Sequence, residues 1–242
     1  MKKKRLTYLM LAAAVLLLLG STVGSTRAAL TYYSDNYVAK ITVSQIGVSL
    51  LENGEVVSSR DYNDNAWKVT TNKGDGSASG SLLANLLKPE EKLALNKKYD
   101  EKLTVKNSGS IDEYVRVRIY RYWMKDGQKV TTLSPDLIDL NFINSGQWVK
   151  NPNETAECVE LFYKGILKTG KETEPFADTV RIDGRLAQEA TIETKGDTVT
   201  TVYKYDGVEF HIDVEVDAVQ THNAKDAIKS AWGVDASGLG IL

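Results

Sequence analysis

The chain has 242 residues, 30 Lys and Arg against 32 Asp and Glu, two His and a single cysteine. A balance this close to neutral lacks the concentrated basic surface that phosphate binding requires, which excludes a nucleic-acid partner. One cysteine excludes an intramolecular disulfide, and a chain this long has enough residues to bury a core without one.

The first 28 residues read as an export signal. Lys2, Lys3, Lys4 and Arg5 form a positive cluster, and Leu9 to Leu19 form an uncharged apolar run of about eleven residues. A transmembrane helix needs roughly 20. Thr26-Arg27-Ala28 places small side chains three and one residues before a cut between Ala28 and Ala29, so a mature chain of about 214 residues is expected. Its charge is 25 basic against 32 acidic residues, a net −7. Ala29-Leu30-Thr31-Tyr32-Tyr33 follows with no spacer and is rich in strand-forming residues. Cleavage would therefore release a β-competent N-terminus.

Strand signals dominate the rest. Ile41-Thr42-Val43 and Ile46 to Leu50 alternate apolar with polar residues, with a phase shift at Ser44-Gln45 that predicts a bulge. Asn53-Gly54 predicts a two-residue hairpin into Glu55-Val56-Val57. Residues 72–81 read as a Gly, Ser and Asp loop, and Ser81 to Leu87 as one or two helical turns stopping before Pro89. Tyr114 to Trp123 places Val115, Val117 and Ile119 on one face and Arg116, Arg118, Tyr120 and Tyr122 on the other. Lys125-Asp126-Gly127 turns the chain, and Ser134 caps a short helix with Pro135 at its first position.

Further strands are expected near 157–168, 186–194, 198–205 and 207–219. In the last, Phe210, Ile212, Val214 and Val216 point one way and His211, Asp213, Glu215 and Asp217 the other. Asn223 is expected to cap a helix whose Ala224, Ala227, Ile228, Ala231 and Trp232 form an apolar stripe ended by Gly233, packing on the sheets. Strands separated by turn signals favour an all-β antiparallel sandwich with short helices, one of them near the C-terminus.

Three stretches resemble the TasA/camelysin (CalY) family of exported Gram-positive proteins. They are the signal with its Thr-x-Ala cut site, Leu86 to Lys92 followed by Leu103 to Ser110 and Tyr114-Val115-Arg116-Val117, and the closing strand Val208 to Gln220. The signal is similar to the type processed by the dedicated signal peptidase SipW. Many members carry Pro-Gly-Asp where this chain has Pro89-Glu90-Glu91. The resemblance implies a jelly-roll-like β-sandwich secreted to the cell surface or extracellular matrix, where it builds biofilm fibres with itself as partner. Each subunit would donate its N-terminal segment to the next.

The residues permit that mechanism. Strand exchange requires an open sheet edge and a detachable strand, and 29–38 supplies the strand, with Leu30, Tyr32, Tyr33, Tyr37 and Val38 as its residues and Leu30, Tyr32 and, after a kink, Tyr37 or Val38 as the side chains that would plug a groove. Residues 39–242 would then be the sandwich domain. A donor end entering an acceptor groove need not close on itself and so propagates a filament. The competing expectation is that 29–38 forms the first strand of its own sandwich. A matrix polysaccharide or an accessory fibre protein are further partners the resemblance leaves open.

Camelysin is associated with metal-dependent proteolysis, which sets the alternative function. The chain has no His-Glu-x-x-His, the spacing that puts two zinc ligands and a general base on one helical turn. The best metal constellation, for calcium or zinc, is His211, Asp213, Glu215 and Asp217 with neighbours roughly 6–7 Å apart, joined by His222 if the chain turns back after Val219. A solvated polar face is the commoner meaning of that pattern, so neither a catalytic residue nor a cofactor is expected. The Arg116, Arg118, Tyr120, Tyr122 face allows a third function, a monomeric adhesin that stacks on sugars, against simple pairing with acidic neighbouring strands. Cys158 lies in an apolar run with no His within 50 residues and reads as a small buried residue.

Overall fold

A computed structural model describes residues 45–63, 66–71, 82–195 and 198–242. The expected signal, the cut between Ala28 and Ala29, the donor segment with Leu30, Tyr32, Tyr33, Tyr37 and Val38, and the bulge at Ser44 lie outside the described residues.

Residues 45–242 are built from antiparallel strands. Gly47–Glu52 (β1), Glu55–Asn63 (β2), Ala66–Thr71 (β3), Tyr99–Asn107 (β4), Ile138–Phe142 (β7) and Ala177–Ile182 (β10) form one sheet in the order β3-β2-β1-β4-β10-β7. Glu113–Lys125 (β5), Trp148–Lys150 (β8), Cys158–Tyr163 (β9) and Glu209–Gln220 (β13) form the other, in the order β13-β5-β9-β8, with Gln128–Val130 (β6) added to β5. Ala190–Lys195 (β11) and Thr198–Tyr203 (β12) make a separate hairpin.

The two sheets enclose one core. Val48, Leu50, Leu103 and Val105 of the first meet Val115, Val117, Ile119, Val159 and Leu161 of the second, all buried. The alternation in β5 therefore reads as expected, with Val115, Val117 and Ile119 inward at 0% exposure. Asn53 and Gly54 both take positive φ, as a two-residue hairpin with matching twist requires. Asp126 and Gly127 do the same between β5 and β6. Ser134 caps the 3₁₀ turn Pro135–Leu137 through its hydroxyl, which accepts from the Asp136 N–H.

Several expectations need correction. Leu82 to Leu87 is a run of turns and not a helix, because Leu83 sits at φ +64, which no α-helix contains. The strand expected from 186 begins at Ala190. Asp183 caps a 3₁₀ turn over Gly184–Gln188 first, its side chain accepting from the Arg185 N–H. The strand expected to run to 168 ends at Tyr163, two residues before Gly165 at φ +83. Asn223 precedes the helix Ala224–Trp232 (α1) but is left-handed at φ +51 and makes no side-chain capping bond, whereas Gly233 ends it at φ +73 as expected. Cys158 is half-buried. At Pro89-Glu90 the turn is type II: Glu91 N–H donates to Lys88 C=O at 2.9 Å and Glu90 takes φ +67, the conformation that glycine adopts without cost.

Helix α1 packs on the sandwich from outside. Ile228 and Trp232 bury against Tyr114, Phe162 and Val219, with Ala236 and Ile241 completing a second cluster. These partners lie on the outer faces of β5, β9 and β13, so helix α1 covers one half of that face, and among the described residues nothing covers the other half.

Candidate functional site

β13 has twelve residues in register with β5, from Glu209 opposite Met124 to Gln220 opposite Glu113. The register sets acidic residues of β13 directly across from the basic and phenolic residues of β5. Asp217 accepts from Arg116 Nη2 at 2.6 Å, from Arg60 Nη1 of β2 at 2.9 Å and from Arg118 Nη2 at 3.4 Å. Glu215 pairs with Arg118 at 2.7 Å. Arg116 also reaches Glu160 of β9 at 2.9 Å and lies over the Trp232 ring at 5.4 Å.

Farther along, Tyr122 donates to Asp213 at 2.7 Å and stacks on His211 with ring centroids 5.2 Å apart. Burial and then the Asp213 hydrogen bond push the Tyr122 phenol up to about 12. Burial likewise raises Tyr120 and the Cys158 thiol beside it. The Arg and Tyr face is thus a cross-strand ion-pair array, in which opposite charges stand on facing residues.

This array accounts for four of the five candidate metal ligands. Asp213, Glu215 and Asp217 are each bonded to a side chain of β5, and His211 is stacked. His222 lies beyond the opposite end of β13, roughly 30 Å along the strand from His211 at ~3.3 Å per residue. The chain turns back only after Gln220, and His222 lies in the turn itself, so the turn carries helix α1 over Tyr114 and Phe162 without bringing His222 to His211. Among the described residues no group of three or more His, Cys, Asp and Glu stands close enough to hold a metal.

The other side of β13 is different. No described strand pairs with its second edge. Near Val216 and Ala218 that edge is approached by the first sheet, where Val48 and Arg60 line a small cavity of about 150 Å³ with Arg116, Asp217 and Trp232. The Arg60–Asp217 pair bridges the sheets there. From Val208 to Asp213 the edge instead borders a groove of about 940 Å³, whose facing wall is Leu82, Leu83, Ala84, Leu86, Leu87 and Leu93. Phe210, Val214 and Val216 point toward the core but stay only partly buried, and the wall leucines are likewise half-covered.

An edge with unpaired backbone groups beside half-covered aliphatic side chains is the arrangement an extended segment can complete. Main-chain bonds would extend the sheet, and alternate side chains would enter the groove. Sequence reading identified β13 and its inward residues. The leucine wall escaped it, since Ser81 to Leu87 reads as a helix by its apolar content.

Below the wall are two buried acids that sequence reading also missed. Glu52, at the end of β1, accepts from the Leu83 N–H at 2.5 Å. Glu101 of β4 is 1% exposed beside it, and burial followed by the hydrogen bond and charge of Glu52 push its carboxyl up to about 8. At the far end of the sandwich Glu113 is fully buried, and neither of its oxygens has a hydrogen-bond partner among the described residues. Burial raises its carboxyl to about 8 as well.

Among the described residues no helix is long and apolar enough to cross a membrane. Comparison of the chain with protein-family models, with curated proteins and with solved structures returns no match in any of the three.

Proposed function

We propose that this is an exported structural protein whose copies join into extracellular fibres, each inserting its N-terminal segment 29–38 at the open β13 edge of the next. The observation that supports the reading is the stretch Val208 to Asp213, where an edge that no described strand pairs with runs beside a groove of about 940 Å³ with a leucine wall. A strand laid there would bury apolar surface at roughly 25 cal/mol per Å² and satisfy main-chain groups together. Ala29-Leu30-Thr31-Tyr32-Tyr33 has the composition for it. The contact joins two different surfaces, so it repeats without closing.

The test is deletion of residues 29–38 from the mature protein. The variant should keep its β-type circular dichroism and lose filaments in electron micrographs. Normal filaments from the deletion variant would refute the reading, and loss of the β signal would assign 29–38 to its own sandwich. The protease alternative has its own check: casein cleavage that a chelator stops and His211→Ala abolishes would establish it.

A further inference from the structure

The groove beside β13 is flanked by charge that the surrounding strands leave unanswered. Along the outer row of β13 the acids toward the Gln220 end meet guanidinium groups: Asp217 pairs with Arg60, Arg116 and Arg118, and Glu215 with Arg118. Toward the groove that matching stops. Asp213 stands opposite Tyr120 and accepts from Tyr122, and Glu209 stands opposite Met124. Among the described residues neither carboxylate meets a Lys or Arg, and His211, 3.6 Å from Glu209, pairs with it only when protonated. The lysines at this end of the sheet are engaged elsewhere, Lys125 with the Asp206 C=O and Lys129 with Glu157. On the facing wall Leu82 to Leu87 carries no charge, while Lys88, Glu90, Glu91 and Lys92 sum to zero and do not line the groove.

We propose that Glu209 and Asp213 are the receptor for the free α-ammonium of Ala29 on an incoming copy, so that the groove recognises a cleaved N-terminus and not merely an extended strand. The two acids are the first and last residues of β13 along the groove. An extended segment lying there with Leu30 and Tyr32 beside Phe210 and Ile212 sets Ala29 beside Asp213 if it runs antiparallel to β13 and beside Glu209 if it runs parallel. Either direction therefore brings the chain end to a carboxylate. The only charged side chain of 29–38 is Asp35, which such a rim repels, and the α-ammonium is the segment's one cation. The assignment rests on the groove being the acceptor for that segment.

Export supplies the group. Hydrolysis of the Ala28–Ala29 bond replaces a neutral amide N–H by an α-amine, which is largely protonated at neutral pH because its ordinary pKa is about 7.7–8.0, and leaves the new carboxylate on Ala28. Arg27, the nearest basic side chain before the cut, departs with the signal, and Lys40, the nearest after it, lies roughly 36 Å farther along an extended chain at ~3.3 Å per residue. The cut that frees the strand thus also creates the charge its acceptor lacks. The size of the effect is modest. Glu209 has a side chain 80% exposed, so the pair shifts affinity severalfold rather than by orders of magnitude, and salt weakens it.

Fluorescence anisotropy with two synthetic peptides of sequence 29–38, both labelled at the C-terminal end, tests the site on freshly purified mature protein before filaments grow. One peptide keeps its α-amine and the other is N-acetylated. The free-amine peptide should bind severalfold tighter at neutral pH and low salt, and the gap should close at high salt. In the double variant Glu209→Gln with Asp213→Asn, which keeps the shape of both side chains, the two peptides should bind alike, with circular dichroism confirming the fold. Glu215→Gln, an acid already paired with Arg118, should leave the gap as it is. Equal binding of the two peptides by the wild type, a gap that persists in the double variant, or no binding of either peptide overturns the assignment. Filament growth by the same protein reports separately on the fibre reading: a free-amine preference in a protein that makes no filaments leaves the ammonium site intact and refutes the fibres, and filaments alongside equal peptide binding do the reverse.

Discussion

Replacing Glu113 by glutamine should make the protein markedly more stable at pH 8 than the wild type while changing little at pH 5. Glu113 is fully buried with both oxygens unpartnered among the described residues, so the folded state keeps it protonated. Its carboxyl moves from an ordinary 4.5 to about 8: burial is the main cause, the nearby Gly47 backbone N–H pulls the other way, and the charges of Asp61 and Asp112 act with burial. Because the folded value is raised, the unfolded chain releases the proton first as pH increases. Stability is thus full below about 4.5 and is lost progressively up to about 8.

At 1.36 kcal/mol per pKa unit the loss is on the order of 5 kcal/mol, comparable with the whole stability of a small domain at ~5–15 kcal/mol. Glutamine cannot ionise and removes the share of Glu113, leaving only the slope of Glu101, whose carboxyl is raised to about 8 as well. The lowered carboxyls Glu91, Asp112 and Asp183 act in the opposite sense, but only below their ordinary values near 4, outside the window. Urea unfolding followed by circular dichroism at pH 5, 6, 7 and 8 measures the effect. A wild type whose stability is level or rising over that range, or a variant with the wild-type slope, would refute the reasoning.

Val117→Asp should unfold the domain, since it places an unpaired carboxylate at a position with 0% exposure, whereas Tyr120→Asp on the uncovered outer half of β5 should cost no more than about 1–2 kcal/mol; thermal melts of both decide it. Arg116→Met removes one partner of Glu160, which keeps the Asn151 amide, and one partner of Asp217, and should cost about 3 kcal/mol, with little change between low and high salt because the pair is largely covered; a loss under about 1 kcal/mol contradicts that account.

Much of the β13–β5 pair is legible in the sequence because both strands are long and alternate without interruption, so period two suffices to sort inward from outward residues. The same holds for Asn53-Gly54, Asp126-Gly127 and the stripe of Ile228 and Trp232 ended by Gly233. The sequence cannot say which surface that stripe covers, since this depends on Tyr114, Phe162 and Val219 arriving from three strands. β4 is obscured by its own chemistry: Glu101 occupies an inward position, and Tyr99 to Asn107 reads as a charged segment although it sits in the middle of a sheet. β7, β8 and β10 are only three to six residues long, too short for a period to stand out.

The metal constellation shows the converse limit. His211, Asp213, Glu215 and Asp217 do share one face, but the register places Tyr122, Tyr120, Arg118 and Arg116 opposite them, and pairing across strands is a property of two segments that neither reveals alone. The leucine wall depends on a left-handed Leu83 held by a residue 31 positions away, which no local pattern encodes.

Covalent capture of the donor segment tests the central claim most directly. In a Cys158→Ser background, Tyr32→Cys and Val214→Cys are introduced on two separately tagged proteins, which are mixed during assembly and treated with a short bis-maleimide. If segment 29–38 of one copy lies along the β13 edge of another, the product is a linked pair carrying both tags, formed only under assembling conditions. Absence of the mixed pair in samples that contain filaments would contradict the account. So would a double mutant of one chain that links only within itself.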